Sequence, residues 1–267
     1  MKCIICLSEV ELFASSRGFS IFKCKDCGFG FTKDLKLNSS DYHRDDTYIS
    51  EENLFRNIFE KRVNIISRFM RQGKVLEVGC STGLMLSLFK DKGWQVLGVE
   101  ISKKAAEKAL QRGIKIETKF FEDINFNEKF DLVIFNHTLE HLDDPKEVIK
   151  KAVSLLNKEG ILYIDLPNFG GLSANLQKGN WPLLLPSEHL WHFTYLSLKK
   201  ILEENNMKII FNERASGLWD LSNPYKELLI AFLTFKKRFF IEIITAIPSF
   251  ILTKFKIGSD LMVIAKK

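Results

Sequence analysis

Apolar and polar residues alternate along this chain in patterns that predict helices and strands in turn. Between residues 54 and 70 the large apolar side chains recur every three or four positions, the period of a helix with one buried face. Further along, short runs of branched apolar residues, each four to six residues long, are separated by helical patterns. Strands that alternate with helices predict an α/β fold, in which a parallel sheet is covered by helices on both faces.

The individual elements follow from the same pattern. Strands are predicted at 74–78, 95–100, 115–118, 132–136 and 161–166, and helices at 54–70, 84–90, 103–111 and 145–156. Ligands of such open sheets bind at the carboxyl ends of the strands, where the strand order reverses. Gly79, Glu100 and Asn136 all stand at predicted strand ends.

The segment 74–83 runs a predicted strand directly into a turn bracketed by glycines and then into a helix. Gly79 can adopt a positive φ and lets a ligand approach the backbone closely. Ser81 or Thr82 can cap the helix, whose free N–H groups then point at that ligand. The segment is therefore predicted to be a nucleotide-type binding loop.

The spacing within this loop excludes two kinds of nucleotide site. Ser81 and Leu84 stand where a dinucleotide fingerprint needs glycine, and the Gly-Lys-Ser/Thr of a phosphate-binding P-loop is absent. Glu100 ends the next predicted strand, seventeen residues after Gly83, where a carboxylate can accept hydrogen bonds from both hydroxyls of a ribose. A ribose site without a phosphate motif indicates S-adenosylmethionine.

Four segments in order resemble the motifs of class I S-adenosylmethionine-dependent methyltransferases: residues 75–83, Glu100, residues 130–145 and residues 155–164. The resemblance covers roughly residues 55–215. It implies a seven-stranded, mostly parallel, Rossmann-like sheet with helices on both faces, closed by an antiparallel strand at 261–265. It also implies the cofactor-binding residues Glu77, Gly79, Cys80, Gly83, Glu100, Ile101, Phe121, Asn136 and His137.

The contact to the adenine departs from the family pattern. Many class I methyltransferases have an acidic residue after the third strand, and Phe120 stands at that place here. Phe120 and Phe121 are expected to flank the base through ring contact and the backbone amide of Phe121, although both can equally belong to the core. Glu122 or Asp123 can substitute. Cys80 is expected to be a small filler rather than a nucleophile.

Two Cys-x-x-Cys pairs, Cys3/Cys6 and Cys24/Cys27, lie within the first 33 residues. This spacing can place four thiolates tetrahedrally around zinc, and metal binding would supply folding energy to a segment too short for a core of its own. Disulfides are disfavoured in a reducing compartment, and a redox role is less favoured because two pairs are present. Residues 1–33 are therefore predicted to form a zinc-ribbon-like module.

Composition adds limits to this picture. With 267 residues, 46% hydrophobic and 27% charged, the chain is typical of a globular protein with one large domain and a small appendage. The net charge of +6 comes from scattered lysines, so a nucleic-acid partner is not indicated. No signal peptide precedes Cys3, and we expect a cytoplasmic protein.

Residues 34–53 lack an apolar period and are predicted to be a linker between the module and a catalytic domain at 54–267. The linker carries Tyr42 and Tyr48, which can reach substrate if it folds over the active site. A long loop, with residues 167–171 and 180–197, follows the fifth predicted strand. It gathers Glu188, His189 and His192 with three large aromatic residues, Trp181, Trp191 and Tyr195.

His189 is the candidate general base, because an imidazole near neutral pH can take a proton from a hydroxyl or an activated carbon, and Glu188 can orient it or bind substrate. His192 is expected to form hydrogen bonds instead. Glu140 and His141 follow the fourth strand, but two adjacent residues alone make a poor metal site. Metal is therefore left out of the predicted chemistry.

The Glu188–His189 pair, the four-cysteine module and the tyrosine-bearing linker resemble the zinc-containing sugar C-methyltransferases of deoxysugar pathways. The resemblance implies catalytic roles near a sugar for His189, Glu188 and Tyr48. Those enzymes carry a further sugar-binding domain, whereas about fifty residues follow Ala215 here. O-methylation of a free or lipid-linked saccharide is as plausible, as in similar short enzymes of surface-polysaccharide clusters.

The segment 228–256 is the most apolar part of the chain. The basic residues 236–238 and Pro248 interrupt it before a spanning helix can form. It is interpreted as a helical insertion, at about 218–257, that covers the sheet edge or dimerises. A peripheral contact with the inner face of the membrane is the alternative.

Two other functions remain open. An RNA base methyltransferase can also carry a zinc module, but residues 136–139 differ from the Asn/Asp-Pro-Pro-aromatic segment of enzymes that methylate planar amines. A binding protein that retains the fold without catalysis is the least favoured, because a cofactor loop and a candidate base are both present.

Overall fold

The structure is a computed structural model that describes residues 1–35, 50–216, 229, 232–233 and 248–267. Tyr42 and Tyr48 of the predicted linker lie outside the described residues, and so does most of the predicted insertion. The helix expected to begin at residue 54 begins at Glu52.

The described strands and helices follow the predicted alternation. The strands are Val10–Ser16 (β1), Phe19–Cys24 (β2), Gly30–Thr32 (β3), Lys74–Val78 (β4), Gln95–Val99 (β5), Lys115–Glu117 (β6), Phe130–Asn136 (β7), Leu156–Pro167 (β8), Trp191–His192 (β9), Lys208–Glu213 (β10) and Asp260–Lys266 (β11). The helices are Glu52–Ile66 (α1), Leu84–Asp91 (α2), Lys103–Gln111 (α3), Pro145–Leu155 (α4), Leu172–Gln177 (α5), Tyr195–Glu204 (α6) and 248–254 (α7).

The large sheet has seven strands in the order β10-β11-β8-β7-β4-β5-β6. Only β11 runs opposite to the other six strands, so the predicted seven-stranded, mostly parallel sheet is confirmed. The order reverses between β4 and β7, where the carboxyl ends of the strands open a crevice. The cofactor loop that follows β4 therefore lies at this crevice.

Local sequence sets the ends of several helices. Ser102 caps α3 by accepting a hydrogen bond from the amide of Ala105, and Asp144 caps α4, which has proline at its first turn. Strand β8 begins at Leu156, five residues before the predicted 161. The sequence does not predict this earlier start because residues 157–159 are polar and exposed and show no apolar pattern.

A second sheet of four strands joins the cysteine-bearing segment to the rest of the protein. Its order is β1-β2-β3-β9, and β3 pairs antiparallel with β9, which comes from the segment that follows Glu188 and His189. Cys3, Cys24 and Cys27 belong to the same apolar core as Phe193 and Leu198. The first 33 residues are thus packed against the segment around β9 and the start of α6.

A buried cation ties helix α1 to the carboxyl edge of the large sheet. The guanidinium of Arg62 lies 2.8 Å from the carboxylate of Asp165 on β8, and it donates a 2.7 Å hydrogen bond to Asp260 on β11. Tyr163 donates a further 2.8 Å hydrogen bond to Asp165. The pKa of Asp260 is raised by burial and by Asp165, whereas Arg62 holds that of Asp165 low against the effect of burial.

Within the described ranges, the helices lack the combination of length and apolar character that crossing a bilayer requires.

Replacing Arg62 should destabilise the protein strongly. Arg62→Met leaves two buried carboxylates without their cation, and the free energy of unfolding should fall by about 3–5 kcal/mol in urea titrations. Arg56→Met removes a half-exposed pair with Glu52 on the same helix and should cost no more than about 0.5 kcal/mol. Equal losses in the two variants would contradict the assignment.

Candidate functional site

The loop after β4 approaches the segment after β7 closely. Gly79 and Gly83 both have φ +71°, in the left-handed region that favours glycine. A Cβ on Gly79 would lie 2.5 Å from the hydroxyl oxygen of Thr138, so no side chain fits there. The loop, Glu77, Phe59 and Asn136 line one small cavity.

The expected cap of α2 by Ser81 or Thr82 is wrong. Gly83 occupies the N-cap position, and no side chain accepts a hydrogen bond from the first turn. The reason is geometric, since the left-handed Gly83 ends the turn one residue later than the hydroxyl residues. The helix N-terminus therefore presents its amides without a side-chain cap, as an anion- or dipole-binding end does.

Glu100 is fixed in place by two backbone amides. One carboxylate oxygen accepts a 2.8 Å hydrogen bond from the amide of Ser81, and the other accepts one of 2.8 Å from Ser102. A carboxylate offers about four acceptor positions, so these two bonds orient the group and leave capacity for ribose hydroxyls. The geometry fits the predicted role at the end of β5.

Glu77 lies buried beneath the same loop. Its Oε2 has no hydrogen-bond partner among the described residues, and burial together with the nearby Glu100 raises its pKa well above the usual range. S-adenosylmethionine carries an ammonium and a sulfonium, and a cation of this kind would compensate the buried carboxylate. Glu77 and the glycine loop therefore fit this cofactor.

Three other predicted cofactor residues occupy different environments. The sulfur of Cys80 packs against Gly98, and burial raises the pKa of its thiol, so the side chain is a core filler. The ring of Phe121 is buried against Phe126 and Phe135, whereas Phe120 is half exposed at the pocket edge of the sheet. Ring contact with a base is thus open to Phe120, and only the backbone of Phe121 remains for the predicted contact.

Ile101 is partly exposed beside Glu100. Asn136 ends β7 and lines the cavity at the loop. The next residue, His137, has φ +51°, and its imidazole lies 3.6 Å from carboxylate oxygens of both Glu140 and Asp260. Although burial opposes protonation, these acids raise the pKa of His137 to about 9, so the imidazole is cationic at neutral pH. Its side chain is engaged with the acids, and its backbone remains for the predicted cofactor contact.

The candidate base lies in a tight turn. The carbonyl of Leu185 accepts 2.9 Å hydrogen bonds from the amides of both Glu188 and His189, and His189 is buried. His141 Nδ1 donates a 2.8 Å hydrogen bond to the carbonyl of Glu188. The rings of His141 and His189 are 4.7 Å apart, so the segments after β7 and β8 meet at this pair.

A three-residue cluster forms where the sequence indicated only two neighbours. Glu140, His141 and His189 each offer a ligand atom, and these atoms lie within 4.8 Å of one another. Glu140 is buried, and neither of its carboxylate oxygens has a hydrogen-bond partner among the described residues. The cluster can serve acid–base chemistry or hold a divalent cation. Because a cation would take the imidazole lone pair that a base uses, His189 cannot serve both roles at once.

Thr32 of β3 holds the segment after the candidate base. Its hydroxyl donates a 2.8 Å hydrogen bond to the carbonyl of His189 and lies 3.0 Å from His192 Nε2. Since the hydroxyl has one proton, it must accept from His192, whose Nε2 then carries a proton. Burial lowers the pKa of His192 to about 3, so this imidazole is neutral and serves as a hydrogen-bond donor.

The four N-terminal cysteines form a compact cluster. Sulfur–sulfur distances are 3.6 Å for Cys3–Cys27, 3.4 Å for Cys6–Cys24 and 3.5 Å for Cys6–Cys27. All four are free thiols. Sulfurs at 2.3 Å from a tetrahedral zinc would be about 3.8 Å apart, and the observed separations are close to that value. The donor set therefore fits zinc.

The linker residue Tyr48 lies outside the described residues, so its expected contact with substrate remains a prediction.

Two aromatic residues of the segment after His189 contact residues elsewhere in the fold. Trp191 donates a 2.7 Å hydrogen bond to the carbonyl of Leu142, and the guanidinium of Arg214 lies 4.4 Å from the ring centre of Tyr195.

Known proteins resemble this chain over the larger sheet. Residues 50–211 match the family described as a methyltransferase domain. An uncharacterized protein of Methanocaldococcus jannaschii is 34% identical over 150 residues, which are 55% of this chain and 68% of that protein. The ubiquinone biosynthesis O-methyltransferase of Haemophilus ducreyi is 32% identical over 107 residues, 36% of this chain and 45% of that enzyme.

Two further matches bear on chemistry and fold. The C-methyltransferase NovU of Streptomyces niveus is 25% identical over 142 residues, which are 51% of this chain and 33% of that enzyme. A SAM-dependent methyltransferase structure from Thermotoga maritima superimposes with a TM-score of 0.56 at 16% identity, over 83% of this chain and 95% of that chain. The chain thus spans less than half of either named enzyme, and the structure demonstrates a shared fold.

Loss of the Glu100 carboxylate should weaken cofactor binding. Glu100→Ala removes two predicted ribose hydrogen bonds to a charged acceptor, so the Kd for S-adenosylmethionine should rise roughly 100-fold in calorimetry. Glu107→Ala removes an exposed carboxylate from the adjacent α3 and should leave Kd unchanged. Unchanged affinity in the Glu100 variant would count against the site.

Zinc content should depend on the clustered cysteines alone. We expect the purified chain to hold a single zinc ion and Cys6→Ser to lose it, because a fourth thiolate is missing. Cys80→Ser is the matched control, since Cys80 lies apart in the core, and it should retain the metal. Atomic absorption on the three proteins decides, and zinc that survives in Cys6→Ser would refute the assignment.

Proposed function

This chain belongs to the family of S-adenosylmethionine-dependent methyltransferases, and from that premise we propose that it methylates a hydroxyl or a carbon of a sugar or saccharide precursor. The matched domain and its methyltransferase relatives establish the reaction class. The acceptor is the proposed part, and it is inferred from the residues beside the cofactor loop.

One observation carries the proposal: the carboxyl edge of the sheet gathers His141 and His189 beside buried Glu140. This group adjoins the cofactor loop, because Thr138, two residues before Glu140, packs against Gly79. Methylation of a hydroxyl or an activated carbon releases a proton, and a buried imidazole next to the donor site is suited to accept it. A nitrogen acceptor with a free lone pair needs no such base.

S-adenosylmethionine supplies an electrophilic methyl group from its sulfonium. In the proposed reaction His189 takes the acceptor proton as the acceptor oxygen or carbon bonds to the methyl group. The hydrogen bond from His141 to the Glu188 carbonyl and the Thr32 bond to the His189 carbonyl restrain the backbone on both sides of that imidazole. Such restraint keeps the base in reach of the acceptor without reorganisation.

The Glu188 side chain is proposed to bind or orient the sugar, and Tyr48 is proposed to contact it from the linker. Trp191 and Tyr195 lie in the same segment, where Phe29 stacks on Trp191 and Arg214 lies over Tyr195, and the opposite ring faces are proposed to contact the sugar. The named relatives include an O-methyltransferase and a C-methyltransferase, so the proposal includes both oxygen and carbon as the methylated atom.

We favour a role in surface-polysaccharide synthesis, in which the substrate is a nucleotide-linked or lipid-linked saccharide. The four-cysteine cluster is proposed to hold structural zinc.

The acceptor can be tested with labelled S-adenosylmethionine. The protein is added to a host extract that lacks it, and the extract is fractionated into nucleotide sugars, lipid-linked saccharides, RNA and protein. We expect label in a saccharide fraction and a loss of about 100-fold or more in His189→Ala with unchanged cofactor binding. Label in RNA would overturn the sugar proposal, and a fully active variant would remove His189 as the base.

The same assay separates a base from a metal ligand. After treatment with EDTA and repurification, activity that persists supports proton removal by His189. Activity that returns only with added Mg²⁺ or Mn²⁺, while zinc content stays constant, would instead assign Glu140, His141 and His189 as cation ligands.

A further inference from the structure

Helix α5 begins against the turn that follows α7, beside the segment that carries His189 and His192. The amide of Leu172, the first residue of α5, donates a 2.9 Å hydrogen bond to the carbonyl of Ile257, which follows α7. We call the outward face of this pair the α5–α7 surface, formed by Leu172, Leu176, Phe250, Ile251 and Phe255. These residues come from sequence segments about eighty positions apart and are brought together by the fold.

This surface exposes large apolar side chains to an unusual degree. Leu176 is 72% exposed, Phe255 70% and Phe250 61%. Leu172 lies one helical turn before Leu176 and is also exposed, so α5 presents a continuous apolar stripe. Apolar groups exposed together in this way mark interaction sites, whereas isolated ones are ordinary.

The charge around the surface has one sign. The stretches 168–187 and 248–259 contain no aspartate or glutamate. Exposed lysines stand at both ends of the surface, with Lys178 at the end of α5 and Lys254 and Lys256 at the end of α7. Apolar side chains bordered by cations alone are the combination that binds at an anionic lipid interface.

We propose that the α5–α7 surface rests on a membrane with anionic lipid headgroups. The leucines and phenylalanines enter the headgroup region, and the lysines pair with lipid phosphates. A second copy of this chain is a poorer partner, because a two-fold contact through this surface would bring lysines together without an acidic group to neutralise them.

The proposed orientation also places the active site near the lipid. Asn168, at the end of β8, donates a 2.7 Å hydrogen bond to the carbonyl of Gly258 after α7. The amide of the next residue, Phe169, donates a hydrogen bond to the carbonyl of Phe193, just beyond His192. The surface is therefore anchored to the same loops that carry the candidate base, and an acceptor attached to a lipid could be presented from the membrane.

The full chain can be tested by sedimentation with vesicles of phosphatidylcholine alone or with phosphatidylglycerol. We expect binding only to the anionic vesicles, weakening as salt is raised. Lys254→Gln/Lys256→Gln should weaken binding roughly 25-fold, since each interfacial lysine contributes about a fivefold factor. Leu176→Ser/Phe255→Ser should weaken it at least about tenfold.

Leu110→Ser is the matched control, because Leu110 is a half-exposed leucine on α3, near the opposite edge of the sheet. It should bind vesicles like the unaltered chain, and circular dichroism should show all variants folded. Absence of binding to anionic vesicles at low salt, or equal binding by every variant, would overturn the proposal. So would a dimer, seen by light scattering without vesicles, that Leu176→Ser/Phe255→Ser dissociates while lipid binding is absent.

Discussion

The pairing of β3 with β9 is the constraint that fixes the segment after Glu188 and His189. A strand of two residues has no stability alone, and β9 exists because the cysteine-bearing segment offers it a hydrogen-bonding edge. Thr194 Oγ1 adds a 2.6 Å hydrogen bond to the carbonyl of Cys27. The first 33 residues thus fix the chain immediately after the Glu188–His189 pair, and the proposed proton transfer by His189 would depend on their folding.

Charged side chains at the carboxyl edge of the large sheet also constrain one another, because opposite charges lie close together there. Arg62 and cationic His137 stand among the buried acids Asp165, Asp260 and Glu140, and only the His137 side chain is partly exposed. The two cations offset much of the charge of these acids, and burial together with Asp165 raises the pKa of Asp260. Polar side chains can therefore gather at the crevice without a large net charge. Glu77 is a separate buried acid, and a cationic ligand would compensate its charge.

The sequence predicted what local chemistry determines. The period of apolar residues gave the helices and strands of the large sheet, the glycines marked the loop after β4, and the Cys-x-x-Cys spacing marked a cluster that the fold brings together. The cap by Ser81 or Thr82 was wrong because the left-handed Gly83 occupies the N-cap position, and the residue at which a turn ends depends on backbone conformation that the pattern of hydroxyl residues does not reveal. The cluster of Glu140, His141 and His189, the buried Arg62 and strand β9 were missed because each depends on contacts between distant segments, which no local pattern records.

The position of β11 has a consequence for how the protein is made. Strand β10 reaches the large sheet only through β11, which lies between it and β8, yet residues 214–259 separate the two strands along the chain. On the ribosome β10 must therefore wait, without its hydrogen-bonding partner, until the whole intervening stretch has emerged. The register of β11 is set by β8 and β10 on its two sides, so that stretch can lengthen, shorten or change its surface during evolution while the sheet stays the same. A protein of this design can gain a new binding surface in the stretch between β10 and β11 while the strand order of its sheet stays unchanged.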